Sequence, residues 1–190
     1  MALRKPALID EKEVFPGDGG KTTWGKTMLR RRFQYPGRPK PDDFYLWDSA
    51  RVAAICLPMT TDRNVVVVSI FAQAANAFIL QLPGGQPRAG ESFGDAARRE
   101  LQEETGYKAG CVVQLGDKGY FEPFGLTTPF HAVLATDCSK IGEVRRDPTE
   151  LIQVEIYPWE KWWDMCLNGT IQDAKSVLVT ARGLRQVGLI

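Results

Sequence analysis

The chain has 190 residues, 44% hydrophobic and 25% charged, with a formal net charge of +1. That length suits one domain with an N-terminal appendage, and the near-neutral charge gives no global case for binding nucleic acid or a membrane. No apolar run has the length of a membrane span, and the N-terminus MALRKPALIDEKEV lacks an apolar core of signal-peptide length, so a cytoplasmic protein is expected. Cys56, Cys111, Cys138 and Cys166 show no metal-ligand spacing and read as buried free thiols. His131 is the sole histidine, so any Ser/His/Asp or Cys/His mechanism would rest on it. A structural role is the expectation for it.

Residues 1–48 read as a strand-rich N-terminal segment and residues 49–190 as the main domain. Pro6, Pro16, Pro36, Pro39 and Pro41 punctuate the first part, with Gly17, Gly19, Gly20, Gly25 and Gly37. Strand-like pieces fall at 24–33 and 44–47. Arg30, Arg31 and Arg32 form a basic run. It reads as a solvated edge strand protected from aggregation; the alternative is a strand that binds phosphate or contacts a second subunit.

Strands are then expected at 52–58 and 64–72. The second contains VVVVSIF, a continuous β-branched run that belongs at the centre of a sheet. A turn at 73–77 leads to a short strand at 78–82, which delivers Pro83, Gly84 and Gly85. Two adjacent glycines let the backbone approach a ligand or metal closely. Beyond residue 107, strands are expected at 111–115, 120–121, 131–137 and 151–157. A helix starting at Pro158 should bury Trp162, Trp163, Cys166 and Leu167 and end at Asn168–Gly169. Asp173 should cap a last helix with Val177, Leu178 and Ala181 inward. Strands flanked by helices without strict alternation predict an α/β sandwich with a mixed sheet.

Residues 85–107 read GQPRAGESFGDAARRELQEETGY. Ser92 is a good N-cap, with Asp95 in the first turn. Phe93, Ala97 and Leu101 make one apolar stripe, with Ala96 beside it. Gly106 is a natural stop. Glu100, Glu103 and Glu104 lie at i, i+3 and i+4, neighbours on one helical face about 5–6 Å apart at Cβ. Their mutual repulsion favours a cation, and hard carboxylate oxygens suit Mg²⁺ or Mn²⁺. Taken alone, E-x-x-E-E is more often a solvated acidic face.

In full, the stretch fits G-x5-E-x7-R-E-U-x-E-E-x-G-U, where U is bulky and apolar. Gly85, Glu91, Arg99, Glu100, Leu101, Glu103, Glu104 and Gly106 fall in place, and Tyr107 takes a slot that is more often aliphatic. The chain thereby resembles the Nudix hydrolases, and within them the ADP-ribose and ADP-sugar pyrophosphatases. The subgroup resemblance rests on the pre-helix stretch ending in L-P-G-G, on Pro123, and on the C-terminal G-x-I-x-D-A. Two positions depart from it: Gln81 stands where glutamate is frequent, and TTPFHA lacks a glutamate often found there.

The resemblance implies a Nudix-type α/β/α sandwich and Mg²⁺- or Mn²⁺-dependent hydrolysis of a nucleoside diphosphate linked to another moiety. ADP-ribose would give AMP and ribose 5-phosphate. It implies metal ligation by Glu100, Glu103 and Glu104, the Gly84 carbonyl and Glu150. The candidate catalytic set is Glu103, the possible base Glu143, and Arg99, which should act by pairing with Glu91 and locking the loop to the helix. Gly85, Glu91 and Gly106 would shape the motif. Trp24, Phe33, Tyr45, Trp47, Phe121 and Phe124 are candidates for stacking on a purine, with Pro123 also a substrate contact. The resemblance further implies a homodimer through the N-terminal strands. Other readings are a Nudix hydrolase of different specificity (GDP-sugar, NADH, dinucleoside polyphosphate or oxidised nucleoside triphosphate) and a non-catalytic nucleotide sensor.

Overall fold

The computed structural model describes residues 4–15, 27–48, 52–143 and 151–190. Its contacts divide the chain into two compact units, Met1–Arg51 with Tyr120–Pro129, and Val52–Gly119 with Phe130–Ile190.

The first unit contains β1 (Ala7–Phe15), β2 (Thr27–Gln34) and β3 (Asp42–Asp48) in an antiparallel sheet of that order. The arginine strand is therefore central, not an edge. Acidic neighbours on both sides make that placement stable: Arg30 pairs with Asp10, Arg31 with Glu11, and Arg32 with Asp43 at 2.7 Å. The second neighbour strand, β1, had no counterpart among the expected elements. Residues 120–129 are stitched to β3, with the Trp47 N–H donating to the Gly125 carbonyl at 2.8 Å and the Thr127 N–H to the Trp47 carbonyl at 2.9 Å.

The second unit runs β4 (Ala53–Thr60), β5 (Asn64–Ala72), β6 (Ala77–Gln81), β7 (Gly84–Gly85), α1 (Phe93–Thr105), β8 (Tyr107–Lys108), β9 (Cys111–Gln114), β10 (Gly119–Tyr120, ending beyond the boundary), β11 (Pro129–Lys140, beginning just before it), β12 (Ile152–Pro158), α2 (Trp159–Leu167) and α3 (Ala174–Gln186). The sheet order is β11-β4-β5-β12, with β6 on β5, β7 on β4, and β8 and β9 on β11. β11 and β4 are parallel and the β4, β5 and β12 pairings antiparallel, so the sheet is mixed.

Both faces of this sheet are covered, which explains the unbroken apolar runs of β4 and β5. Ala54, Cys56, Val66 and Val133 pack against Ala96, Ala97 and Leu101 of α1. Ile55, Leu57, Val65, Val67 and Leu134 pack against Trp162 of α2 and Val179 and Leu184 of α3. The helix–sheet–helix layering matches the expected α/β sandwich.

Three local expectations need correction. Leu167 is 66% exposed, because α2 turns only Trp162 and Cys166 fully inward. On α3 the buried residues are Ser176, Val179, Thr180, Gly183 and Leu184, while Leu178 is exposed and Val177 and Ala181 are half-buried. The inward hydroxyls have partners: Thr180 Oγ1 accepts the Trp162 indole N–H at 2.8 Å. Cys111 is exposed; the other three thiols are buried.

Helix α1 begins and ends as its sequence requires. Ser92 Oγ accepts from the Asp95 N–H at 3.1 Å, and Gly106 takes φ +74° at the C-terminus. A Cβ on Gly106 would lie 2.3 Å from the Gly142 carbonyl oxygen. Gly106→Ala should therefore cost more than the about 1–2 kcal/mol of a left-handed L-residue, read as a lower urea midpoint with an unchanged slope.

Candidate active site

The glutamate face of α1 meets β7 directly. The Gly84 N–H donates to Glu104 Oε2 at 3.1 Å. A Cβ on Gly85 would lie 2.3 Å from Glu100 Oε1, so only glycine lets this carboxylate sit against the strand. A Cβ on Gly84 would meet the Ala54 carbonyl oxygen at 2.3 Å. Gly85 is thus a steric requirement of the carboxylate face, and Gly84 of the close approach to β4.

Arg99 organises the same region. Its Nε and Nη2 donate to the two oxygens of Glu91, each at 3.0 Å. Nη1 donates to Glu100 at 2.7 Å and Glu103 at 2.9 Å, and Nη2 also donates to the Gln86 carbonyl at 2.9 Å. The five guanidinium N–H groups therefore all have acceptors. Arg99 acts as a clamp between loop and helix, and its donors are taken up by the protein itself. Arg88, which the sequence reading missed, closes the loop. Its backbone N–H donates to Glu91 at 2.7 Å and its side chain to Glu103 at 3.0 Å. Its place three residues before Glu91, within reach of a turn contact, was the available signal.

These contacts set opposite electrostatics on two carboxyls. Hydrogen bonding from Arg99 holds Glu91 below the usual glutamate range, against a smaller effect of burial. Burial pushes Glu100 up, and Arg99 only partly offsets it. Hydrogen bonding to Glu91 raises Arg99, which stays charged throughout. A desolvated carboxyl beside two further carboxylates and a glycine backbone suits a hard divalent cation, which would reverse the burial cost at Glu100. Glu100 and Glu104 are the carboxylates that meet β7, whereas Glu103 is held by Arg88 and Arg99, and among the described residues no three acidic side chains converge on one point.

Glu143 is exposed and directly follows Ile141 and Gly142, which bond to the C-terminus of α1. The Ile141 N–H donates to the Gly106 carbonyl at 2.9 Å. Glu150 and Trp24 lie outside the described residues. Trp47, Phe121, Pro123 and Phe124 all belong to the first unit, where Trp47, Phe121 and Phe124 are exposed and the Phe15 ring meets Trp47 edge-on at 6.2 Å. His131 stacks on Phe93 at 3.8 Å with Nδ1 3.2 Å from the Gln114 amide, a packing role. Beside α1 lies a cleft of about 360 Å³ that includes Arg98, Gln102 and Lys108 and reaches Arg99 and Glu103, but neither Glu100 nor Glu104 lines it.

The NUDIX domain family model matches residues 49–179. The chain is 28% identical over 153 residues to the ADP-ribose pyrophosphatase of Bacillus subtilis (strain 168), covering 80% of this chain and 74% of that one. It is 32% identical over 88 residues to putative nudix hydrolase 2 of Caenorhabditis elegans, covering 46% of this chain and 39% of the relative. A crystal structure of an ADP compounds hydrolase superposes with TM-score 0.78 over the whole of both chains at 18% identity, a likeness of fold.

The Arg99–Glu91 pair makes a pH-dependent contribution to stability. Because the folded Glu91 carboxyl lies below its unfolded value of about 4.5, its contribution is full above that value and is lost as pH falls toward the folded one. Glu100 has the opposite sign: its charged form costs stability, and the cost is relieved as pH falls through its raised value. Glu91→Gln should thus flatten the acid limb of a stability-against-pH curve from urea melts. At neutral pH the loss should fall below the roughly 3–5 kcal/mol of an uncompensated buried charge, because Arg99 keeps Glu100 and Glu103 as partners.

Proposed function

The chain belongs to the NUDIX domain family, and from that premise we propose that it hydrolyses the diphosphate bond of a nucleoside diphosphate joined to a second moiety, with ADP-ribose the foremost substrate. The observation that carries the proposal is the carboxylate face of α1 seated on the double glycine of β7. The named relative from Bacillus subtilis supports the substrate, and the L-P-G-G, Pro123 and G-x-I-x-D-A features agree with it.

Glu100, Glu104 and the Gly84 carbonyl are assigned as ligands of Mg²⁺ or Mn²⁺, with Glu103 and Glu150 completing the set. When bound, the ion neutralises the diphosphate and makes water more acidic. In the reaction a water oxygen bonds to one phosphorus, the bridging P–O bond breaks, and AMP leaves with ribose 5-phosphate. Glu143 is the proposed acceptor of the water proton. Arg99 keeps Glu91, Glu100 and Glu103 in register through its hydrogen bonds to all three. Trp47, Phe121, Phe124 and Pro123 are the proposed nucleoside contacts. Stacking of this kind contributes about 1–3 kcal/mol per base.

A homodimer through the N-terminal sheet is also proposed. None of the residues of β1, β2 and β3 is buried, and Leu8, Ile9, Val14 and Phe15 are exposed along one strand. Sedimentation equilibrium should give the mass of two chains, and Ile9→Lys should shift it toward one; a wild-type monomer at working concentration would refute the dimer.

The function is tested by AMP release from ADP-ribose with Mg²⁺. Glu104→Gln should lower kcat at least as much as loss of an outer partner of a metal ligand does, about 10–100-fold. Turnover confined to a different diphosphate would replace the substrate and keep the chemistry. Tight nucleotide binding without turnover of any diphosphate would favour a sensor.

A further inference from the structure

Leu82, Pro83 and Gly84 form a strap between the two helical layers of the second unit. At one end Leu82 is 1% exposed and packs in the α2–α3 core. Its N–H donates to Ser176 Oγ on α3 at 2.8 Å. In the middle the Pro83 carbonyl accepts the Cys56 N–H at 2.9 Å. At the other end the Gly84 N–H donates to Glu104 on α1. Proline has no N–H, so the Leu82 and Gly84 amides are the only backbone donors of the strap.

Ser176 is fully buried. Its hydroxyl donates to Asp173 Oδ2 at 2.6 Å, which leaves a lone pair for the Leu82 N–H. Asp173 also accepts the Ser176 backbone N–H at 3.1 Å and pairs with Lys175 at 2.5 Å. The D-A of the C-terminal G-x-I-x-D-A therefore does more than start a helix: it orients a hydroxyl toward the residue two before Gly84.

We propose that Ser176, oriented by Asp173, is a positioning residue that fixes Gly84 against Glu104 and so sets the geometry of the cation site. The inference rests on the metal reading above. The strap has little lateral freedom, since a Cβ on Gly84 would already strike the Ala54 backbone. Its position along its own direction is set by the hydrogen bonds at its ends together with the Cys56–Pro83 bond and the pairing of Gly84 with β4. Without the Ser176 hydroxyl the Leu82 N–H is buried and unsatisfied, and the strap gains by shifting to find another acceptor.

The test is Mn²⁺ titration of the substrate-free protein, with amide exchange at Leu82 as a second readout. Ser176→Ala should weaken Mn²⁺ binding about tenfold, the lower end of losses for outer partners of metal ligands, and speed Leu82 exchange. Val179→Ala removes volume from the core that Leu82 also packs in, but leaves the Ser176–Leu82 hydrogen bond in place. It should lower stability and leave Mn²⁺ affinity unchanged. Should Ser176→Ala not fold, Asp173→Asn carries the test. It retains an N-cap but weakens the bond orienting the hydroxyl, and a smaller loss of Mn²⁺ affinity is expected. Wild-type affinity in the serine or aspartate variant, or an equal loss in Val179→Ala, overturns the relay while Glu104→Gln still loses binding and the metal reading stands. Absence of Mn²⁺ binding in the wild type, or undiminished binding in Glu104→Gln, overturns both.

Discussion

The Arg99 guanidinium donates to Glu91, Glu100, Glu103 and the Gln86 carbonyl, and this one group links loop, helix and carboxylate face. Three glutamates on one helical face destabilise that helix through repulsion unless a cation lies among them. Arg99 supplies part of that cation permanently. It also anchors the loop after Gly85, whose missing side chain is the space that Glu100 occupies. Removing the arginine would leave Glu91 and Glu100 partly buried without their counter-charge, so loop and helix would lose their common register.

The constraint extends outward in two directions. Through Glu104 it reaches Gly84 and the strap, and through Leu82 and Ser176 it reaches α3. Through Gly106 it reaches residues 141–142, which bond to the end of α1 just before Glu143. Strand β4 provides the fixed floor: Ala54 and Ile55 pair with Gly85 and Gly84, and β4 itself is buried on both faces. The cation site proposed for this face would need its backbone held to a fraction of an ångström. The surrounding hydrogen bonds run from three separate elements onto four consecutive residues.

Much of this was legible in the sequence because it depends on short-range chemistry. Ser92, Gly106 and Asp173 act as caps, the 64–72 run forms β5 at the sheet centre, and Arg99 meets Glu91. What escaped depends on distant partners. The expected inward face of α3 is Val177, Leu178 and Ala181, yet the hydroxyls of Ser176 and Thr180 are satisfied by Asp173, Leu82 and Trp162 and turn inward, which rotates the buried face. The arginine run reads as an edge until Asp10 and Glu11 of β1 are placed against it. β11 continues past residue 137, through a register break where Asp137 adopts φ +53°, because Ser139 and Lys140 find partners in β8, a pairing with no local signature.

The central claim is that a divalent cation binds where α1 meets Gly84 and Gly85. Mn²⁺ broadens nearby amide resonances steeply with distance, so adding it in trace amounts to isotope-labelled protein without substrate locates the site directly. The account predicts that the amides of Gly84, Gly85, Glu100 and Glu104 vanish first, and that an excess of Mg²⁺ restores them. Broadening centred on any other group of residues, or spread evenly over the acidic surface, would contradict it.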